Sequence, residues 1–323
     1  MTHDEHPPES GVDDPERVAL QARNVRFDWS ELPMHWIPDE PFATHVINVL
    51  HLLLPEGEDW FVEVFKQALP MIKDDRLRED VQGFVGQEAV HAMSHQGVLD
   101  HFNAHDLDTE PYVRQIAWMF RKLLGDRGHT GARAEDWVVE RVGLIAGIEH
   151  ITAFLGQWVL DAEALDRAQA DPTMLDLLRW HGAEEVEHRS VAFDLFMHLD
   201  GRYSKRVRFF LLALPLFFTL WARGAKFLIA NDPKLRGRSK PRWRDYFRSA
   251  RLGLLPGPRE TARLMAPYFR PSFHPSQHGS TTRAVSYLAR SPAAQAAENP
   301  AAPASERPAA PASDHPAAPA SDH

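Results

Sequence analysis

Two stretches of the chain, Glu88-Ala-Val-His91 and Glu185-Val-Glu-His188, set a carboxylate three residues ahead of an imidazole. Positions i and i+3 share one face of an α-helix, so each pair can offer an oxygen and a nitrogen to the same metal ion. The chain has 18 histidines and no cysteine. That excludes thiolate nucleophiles, disulfides and Cys-ligated zinc or iron–sulfur centres, and leaves His, Asp and Glu to hold any metal. Such pairs also arise by chance in a His- and Glu-rich chain, so their positions carry the argument. Val81, Phe84, Val85, Glu88, His91, His95 and Leu99 fall on one helical stripe, and Leu178, His181, Glu185, His188, Ala192 and Leu195 on another. A lone carboxylate on an apolar stripe is costly to bury, and a metal ion is one compensation.

Each pair is preceded by a further glutamate. Glu58 comes before Glu88, and Glu149, among Val142, Ile145, Ala146, Thr152 and Ala153, comes before Glu185. Four helices could therefore bring Glu58, Glu88, His91, Glu149, Glu185 and His188 to one point, the ligand set of a di-iron or di-manganese carboxylate site. The competing reading is a set of solvated helix charges and capping residues near Pro55 and Pro172. His95 and His181, one turn from the pairs, are extra ligands, groups that orient the ligands, or ordinary core histidines. His150 is rotated by about 100° from Glu149 and is expected to make an outer contact of the orienting kind. Glu184 and Glu187 are the candidates for a catalytic proton acceptor.

The apolar period that must position these groups is helical nearly throughout. An all-α fold is expected. One helix starts near Glu56 or Gly57, a second near Asp75, a third spans about Glu135 to Asp161, and a fourth about Pro172 to Leu199. A connection holding a shorter helix around Val113 to Leu124 joins the second to the third. Four long helices with a long crossover between helices 2 and 3 is the connectivity of a ferritin-like bundle, here followed by additional C-terminal helices. The expected organisation is a disordered acidic N-terminus over 1–22, the bundle over 23–200, an apolar and basic helical extension over 201–290, and a disordered Pro/Ala tail over 291–323. From Pro300 the tail repeats an eight-residue unit with no large apolar side chain, so it cannot offset its ordering entropy.

Formal charge over the 323 residues is −9, which argues against a nucleic-acid partner. Residues 202–251 differ sharply, with 14 Lys and Arg against only Asp232 and Asp245. Within them the uncharged run Phe209 to Ala222 is 14 residues long and interrupted by Pro215, short of the ~18 usually needed to cross a bilayer. Three readings stand: an in-plane anchor on an anionic membrane surface, a fifth helix packed on the bundle with a solvated basic loop, or, least favoured by its length, a re-entrant or spanning segment. The acidic, Pro-rich start has no secretory or transit pattern. A cytoplasmic protein, peripheral on the inner face of the membrane if the first reading holds, is the expectation.

The stretches Pro55 to Phe61, Gly86 to His91, Glu149 to Thr152 and Ala183 to Asp194 resemble, in order, four blocks of the predicted metal-dependent hydrolase family, a ferritin-like group of bacterial proteins. The resemblance covers about residues 25–270. It implies a helical fold with a dinuclear centre and points to the same six ligands. The donor chemistry points first to two divalent metal ions, iron with manganese as an alternative, reacting with O₂ to oxidise a hydrophobic or lipid-like substrate. An electron donor would then be required, and nothing in the sequence names it. The family's label points instead to hydrolysis of an ester or amide by metal-activated water. A third reading is a non-catalytic metal-binding or membrane-associated protein.

Overall fold

The computed structural model describes residues 18–235 and 241–298, and among these the regular elements are helical, with no strand. Helix α1 (Pro41–Ala68) starts with Pro41, whose fixed φ and missing N–H suit a first turn. It begins well upstream of the expected start and runs through Pro55. A proline there removes one ladder hydrogen bond. The helix persists because its flanks are packed: Leu52, Leu53, Leu54, Gly57 and Glu58 are all buried. Helix α2 (Asp75–Ala104) is capped by Asp74, which accepts from the Leu77 N–H. The crossover carries α3 (Glu110–Trp118) and a wider π-type turn, Met119–Leu123, before α4 (Ala132–Asp161).

After the short α5 (Glu163–Arg167), Asp171 caps α6 (Pro172–His188) by accepting from the N–H groups of Thr173 and Met174. The expected fourth helix is therefore broken at Arg189–Ser190, and its second part is α7 (Val191–Leu199). Helix α1 packs along α2 and α4 along α6, while contacts of α1 with α4 and of α2 with α6 and α7 close a ring around one interior. The backbones of α4 and α6 nearly touch. A Cβ on Gly156 would lie 2.5 Å from the Gly182 carbonyl oxygen, and one on Gly182 would lie 2.8 Å from Gly156 Cα. That contact, three residues before Glu185, draws the two helices together beside their glutamates.

Residues 18–40 cross α2 as a non-helical strap, with Leu20 against Gly83, Ala22 against Gly86 and Trp29 against Gly97. Of the N-terminus expected to be disordered, residues 1–17 lie outside the described residues and 18–22 belong to this strap. Helix α8 (Tyr203–Asn231) lies on α1 and α4, burying Phe209, Phe210, Ala213 and Leu228. It is long and apolar enough to cross a membrane by length and composition. Helices α9 (Trp243–Arg251), α10 (Pro258–Met265) and α11 (Thr281–Leu288) follow. The expected tail starts too early, because α12 (Pro292–Glu298) buries Ala293 and Ala294, and the Ala293 N–H donates to Asp176. The Pro/Ala repeat itself lies outside the described residues.

Candidate metal centre

The four helices of the ring deliver the six sequence candidates to the common interior. Glu58 comes from α1, Glu88 and His91 from α2, Glu149 from α4, and Glu185 and His188 from α6, and all six are buried. His188 Nε2 lies 3.2 Å from Glu88 Oε1, 3.3 Å from Glu149 Oε2 and 3.4 Å from Glu185 Oε1. His91 Nδ1 lies 3.6 Å from Glu88 Oε1 and 3.7 Å from Glu185 Oε1. His181 joins them: its Nε2 is 2.9 Å from Glu185 Oε1 and 3.5 Å from Glu58 Oε1.

Both oxygens of Glu58, Glu88 and Glu149, Oε2 of Glu185, Nδ1 of His91 and Nε2 of His188 are buried and make no hydrogen bond. Buried polar groups are ordinarily paired, and each orphan costs about 1–3 kcal/mol, more when charged. Crowding shows in the proton affinities. Burial, then the neighbouring Glu88, pushes the Glu58 carboxyl well above the carboxylate range. Burial and Glu185 push Glu149 up to about 8. Burial alone would discharge the imidazoles, but Glu184 and Glu88 hold His91, and Glu185 and Glu149 hold His188, well above the ordinary value. Divalent cations would neutralise the carboxylates and take up the idle lone pairs. The donor set of carboxylate oxygen and imidazole nitrogen fits iron, manganese or zinc.

Behind the imidazoles stands a row of contacts that sets their tautomers. His91 Nε2–H donates to Glu184 Oε2 at 2.9 Å, so Nδ1 faces the interior and would offer its lone pair there once a cation displaces the second ring proton. His188 Nδ1–H donates to Gln87 Oε1 at 3.1 Å, and Nε2 would do the same. Arg23 closes the row, reaching Glu184 at 2.7 Å and Glu187 at 2.9 Å, and Gln87 donates to Glu187 at 3.2 Å. Glu184 and Glu187, expected as proton acceptors in catalysis, both ion-pair with Arg23, and Glu184 lies on the far side of the His91 ring from the interior.

Of the three histidines expected to make outer contacts, His95 and His181 adjoin the centre and His150 does not. His181 Nδ1 meets His95 Nε2 at 2.5 Å, and His95 Nδ1 meets His51 Nδ1 at 2.8 Å. Burial, then its neighbour His181, pushes His51 down to about 3, and His95 also falls well below the usual range. This row therefore stays neutral. The rotation that separates His150 from Glu149 turns it onto the face covered by α8 and α10. There its Nε2 meets the Leu264 carbonyl at 3.1 Å and its ring lies against Tyr268 and Phe273.

Over residues 21–279 the chain matches the family described as predicted metal-dependent hydrolase. The chain belongs to that family. No curated protein and no solved structure matches it.

In this member of the predicted metal-dependent hydrolase family the centre borders a large cavity of about 780 Å³. His181 and Glu185, both nearly inaccessible, form its inner end, and the exposed Phe218, Trp243 and Phe247 stand at its outer end. Between them the wall is hydrocarbon, including Leu50, Leu54, Ile151, Leu155 and Leu178. Its hydroxyl nearest the centre in sequence, Thr152 Oγ1, is turned back to the Glu149 carbonyl. A second convergence of ligand-type groups lies apart, where His35 Nε2 and His45 Nε2 meet Asp232 Oδ2 at 2.5 and 2.7 Å and tie the end of α8 to α1.

Arg23, Gln87 and His51 were not among the sequence candidates. His51 had a usable signal, since it precedes Glu58 by seven residues and so shares its helical face. Placing the helix start after Pro55 concealed it. Arg23 had none, because its partners lie 161 and 164 residues away.

Proposed function

We propose that this protein is a metal-dependent enzyme that binds two divalent cations in a ferritin-like ring of α1, α2, α4 and α6, and hydrolyses an ester or amide of a lipid-like molecule. The observation that carries the reading is the set of orphaned Glu and His atoms at the inner end of an apolar cavity. Cations held there would activate water and polarise the scissile carbonyl. The chain's own residues do the rest. Glu58, Glu88, His91, Glu149, Glu185 and His188 supply the donors, with His181 Nε2 as a seventh. Glu184, Gln87 and Arg23 keep His91 and His188 in the tautomer that presents a lone pair inward. The cavity wall takes up a hydrocarbon chain and excludes water from it.

A second reading is supported by one feature of the same site. The wall beside the centre offers no free side-chain donor to a developing oxyanion among the described residues, and a set of four carboxylates suits oxidised iron. On that reading the substrate is oxidised by O₂ with electrons from a separate reductant. One experiment separates the two. The chain is loaded anaerobically with Mn(II), Zn(II) or Fe(II), bound metal is counted, and cleavage of a long-chain carboxylic ester is followed under argon. Two metals and turnover under argon support hydrolysis. Two irons, no turnover under argon and O₂ consumption on exposure to air would replace it with oxidation, and a chain that takes up no metal would overturn both.

A further inference from the structure

The outer side of α8 is as apolar as its inner side. Leu211 and Leu212 are each more than half exposed, and Leu216 and Phe218 nearly so. Only 22% of the helix's most apolar 18-residue window is buried, which rules out an ordinary core helix. Leu211, Pro215, Phe218 and Ala222 follow one another at helical spacing on one face, with Leu212 and Leu216 beside them. This face lies between Arg208 at one end and Arg223 and Lys226 at the other. Across the mouth of the cavity, α9 adds Trp243, 75% exposed, and Phe247.

We propose that this face docks in the plane of an anionic lipid bilayer, with the cavity opening onto the membrane. Charge complementarity selects that occupant. Arg248 is already neutralised by Glu40, but Lys226 and Arg242, both at the cavity mouth, make no ion pair among the described residues. Exposed aromatic rings beside such cations are the pattern of an interfacial helix, whose apolar side enters the acyl boundary while its cations meet anionic headgroups. Packing opposes spanning: α8 is long and apolar enough by length and composition, but its inner side is committed to α1 and α4. The docking itself does not depend on the chemistry of the centre; that lipid reaches the cavity from the bilayer rests on the substrate reading above.

The test is co-sedimentation of the metal-loaded full chain with vesicles of phosphatidylcholine, with and without phosphatidylglycerol. Binding to the anionic vesicles is expected to exceed binding to the neutral ones by more than about tenfold, and to weaken as salt rises from about 0.05 to about 0.5 M. Lys226→Glu combined with Arg242→Glu lowers it by a further factor of ten or so. Leu212→Glu with Leu216→Glu, two solvent-facing positions outside the cavity wall, abolishes it while leaving circular dichroism, metal content and turnover of a water-soluble ester unchanged. No binding to anionic vesicles overturns the proposal. A wild-type dimer that the double Leu variant splits would also overturn it, assigning the face to self-association. Vesicle binding by a chain without metal or turnover leaves docking intact and removes the catalytic reading, whereas turnover without vesicle binding does the reverse.

Discussion

The centre of the bundle and the outer face of α8 invert the usual distribution of polarity in opposite senses. At the centre, four carboxylates lie among hydrocarbon with most of their oxygens unpaired. On α8, four large apolar side chains face solvent. Their energetic weights differ. Each buried polar atom left without a hydrogen bond costs about 1–3 kcal/mol, so a bound cation would stabilise the centre. An exposed leucine costs little by itself, and the α8 face acquires meaning only because its members are contiguous and adjoin a cavity mouth. On the proposals made above, a cation would complete the first and a lipid surface the second.

The contrast can be broken at several points. Gly182→Val would force a side chain into the Gly156 backbone, which has no room to move, and should cost about 4–5 kcal/mol in urea unfolding along with most of the bound metal. An unchanged midpoint would mean that α4 and α6 do not approach this closely. Glu58→Gln removes one of the crowded carboxylates, so the chelator-treated variant should be more stable than chelator-treated wild type by about 1–4 kcal/mol while binding less metal. If Glu58→Gln instead weakened the stripped protein, the centre would be a self-sufficient polar network. Arg23→Ala should lower metal affinity about 10–100-fold, measured by competition with a chromophoric chelator, by loosening Glu184 and the ring of His91; equal affinity would separate the strap from the centre. Smallest of all, Leu212→Ser should shift stability by no more than about 0.5 kcal/mol, and a larger loss would show that the α8 face is already packed.

The helical class and the six central donors were legible because both rest on short-range periodicity. Glu88 with His91 and Glu185 with His188 are three residues apart, and the apolar stripes around them state which way each helix faces. What escaped depends on contacts between distant segments. No pattern links Arg23 to Glu184 and Glu187, the two carboxylates that it pairs with. Pro55 misled because a proline ordinarily starts or breaks a helix, yet here packing on both sides carries α1 through it. The break at Arg189–Ser190 and the helix at Pro292–Glu298 escaped for a related reason. Neither has a strong local signal, and α12 is held by burial of two alanines and a hydrogen bond to Asp176.

The strap and the ring also bear on how the protein is made. Glu58, Glu88 and His91 leave the ribosome about a hundred residues ahead of Glu185 and His188, an interval of roughly 5–20 s at typical elongation rates. At first the hairpin of α1 and α2 carries half of the proposed donors alone, and Glu149 joins them before Glu185 and His188 emerge. Arg23 emerges before any of them and waits longest, since Glu184 and Glu187 are the partners that fix it. Capture of metal by the full proposed donor set would therefore have to wait until His188 has emerged, in the second half of synthesis.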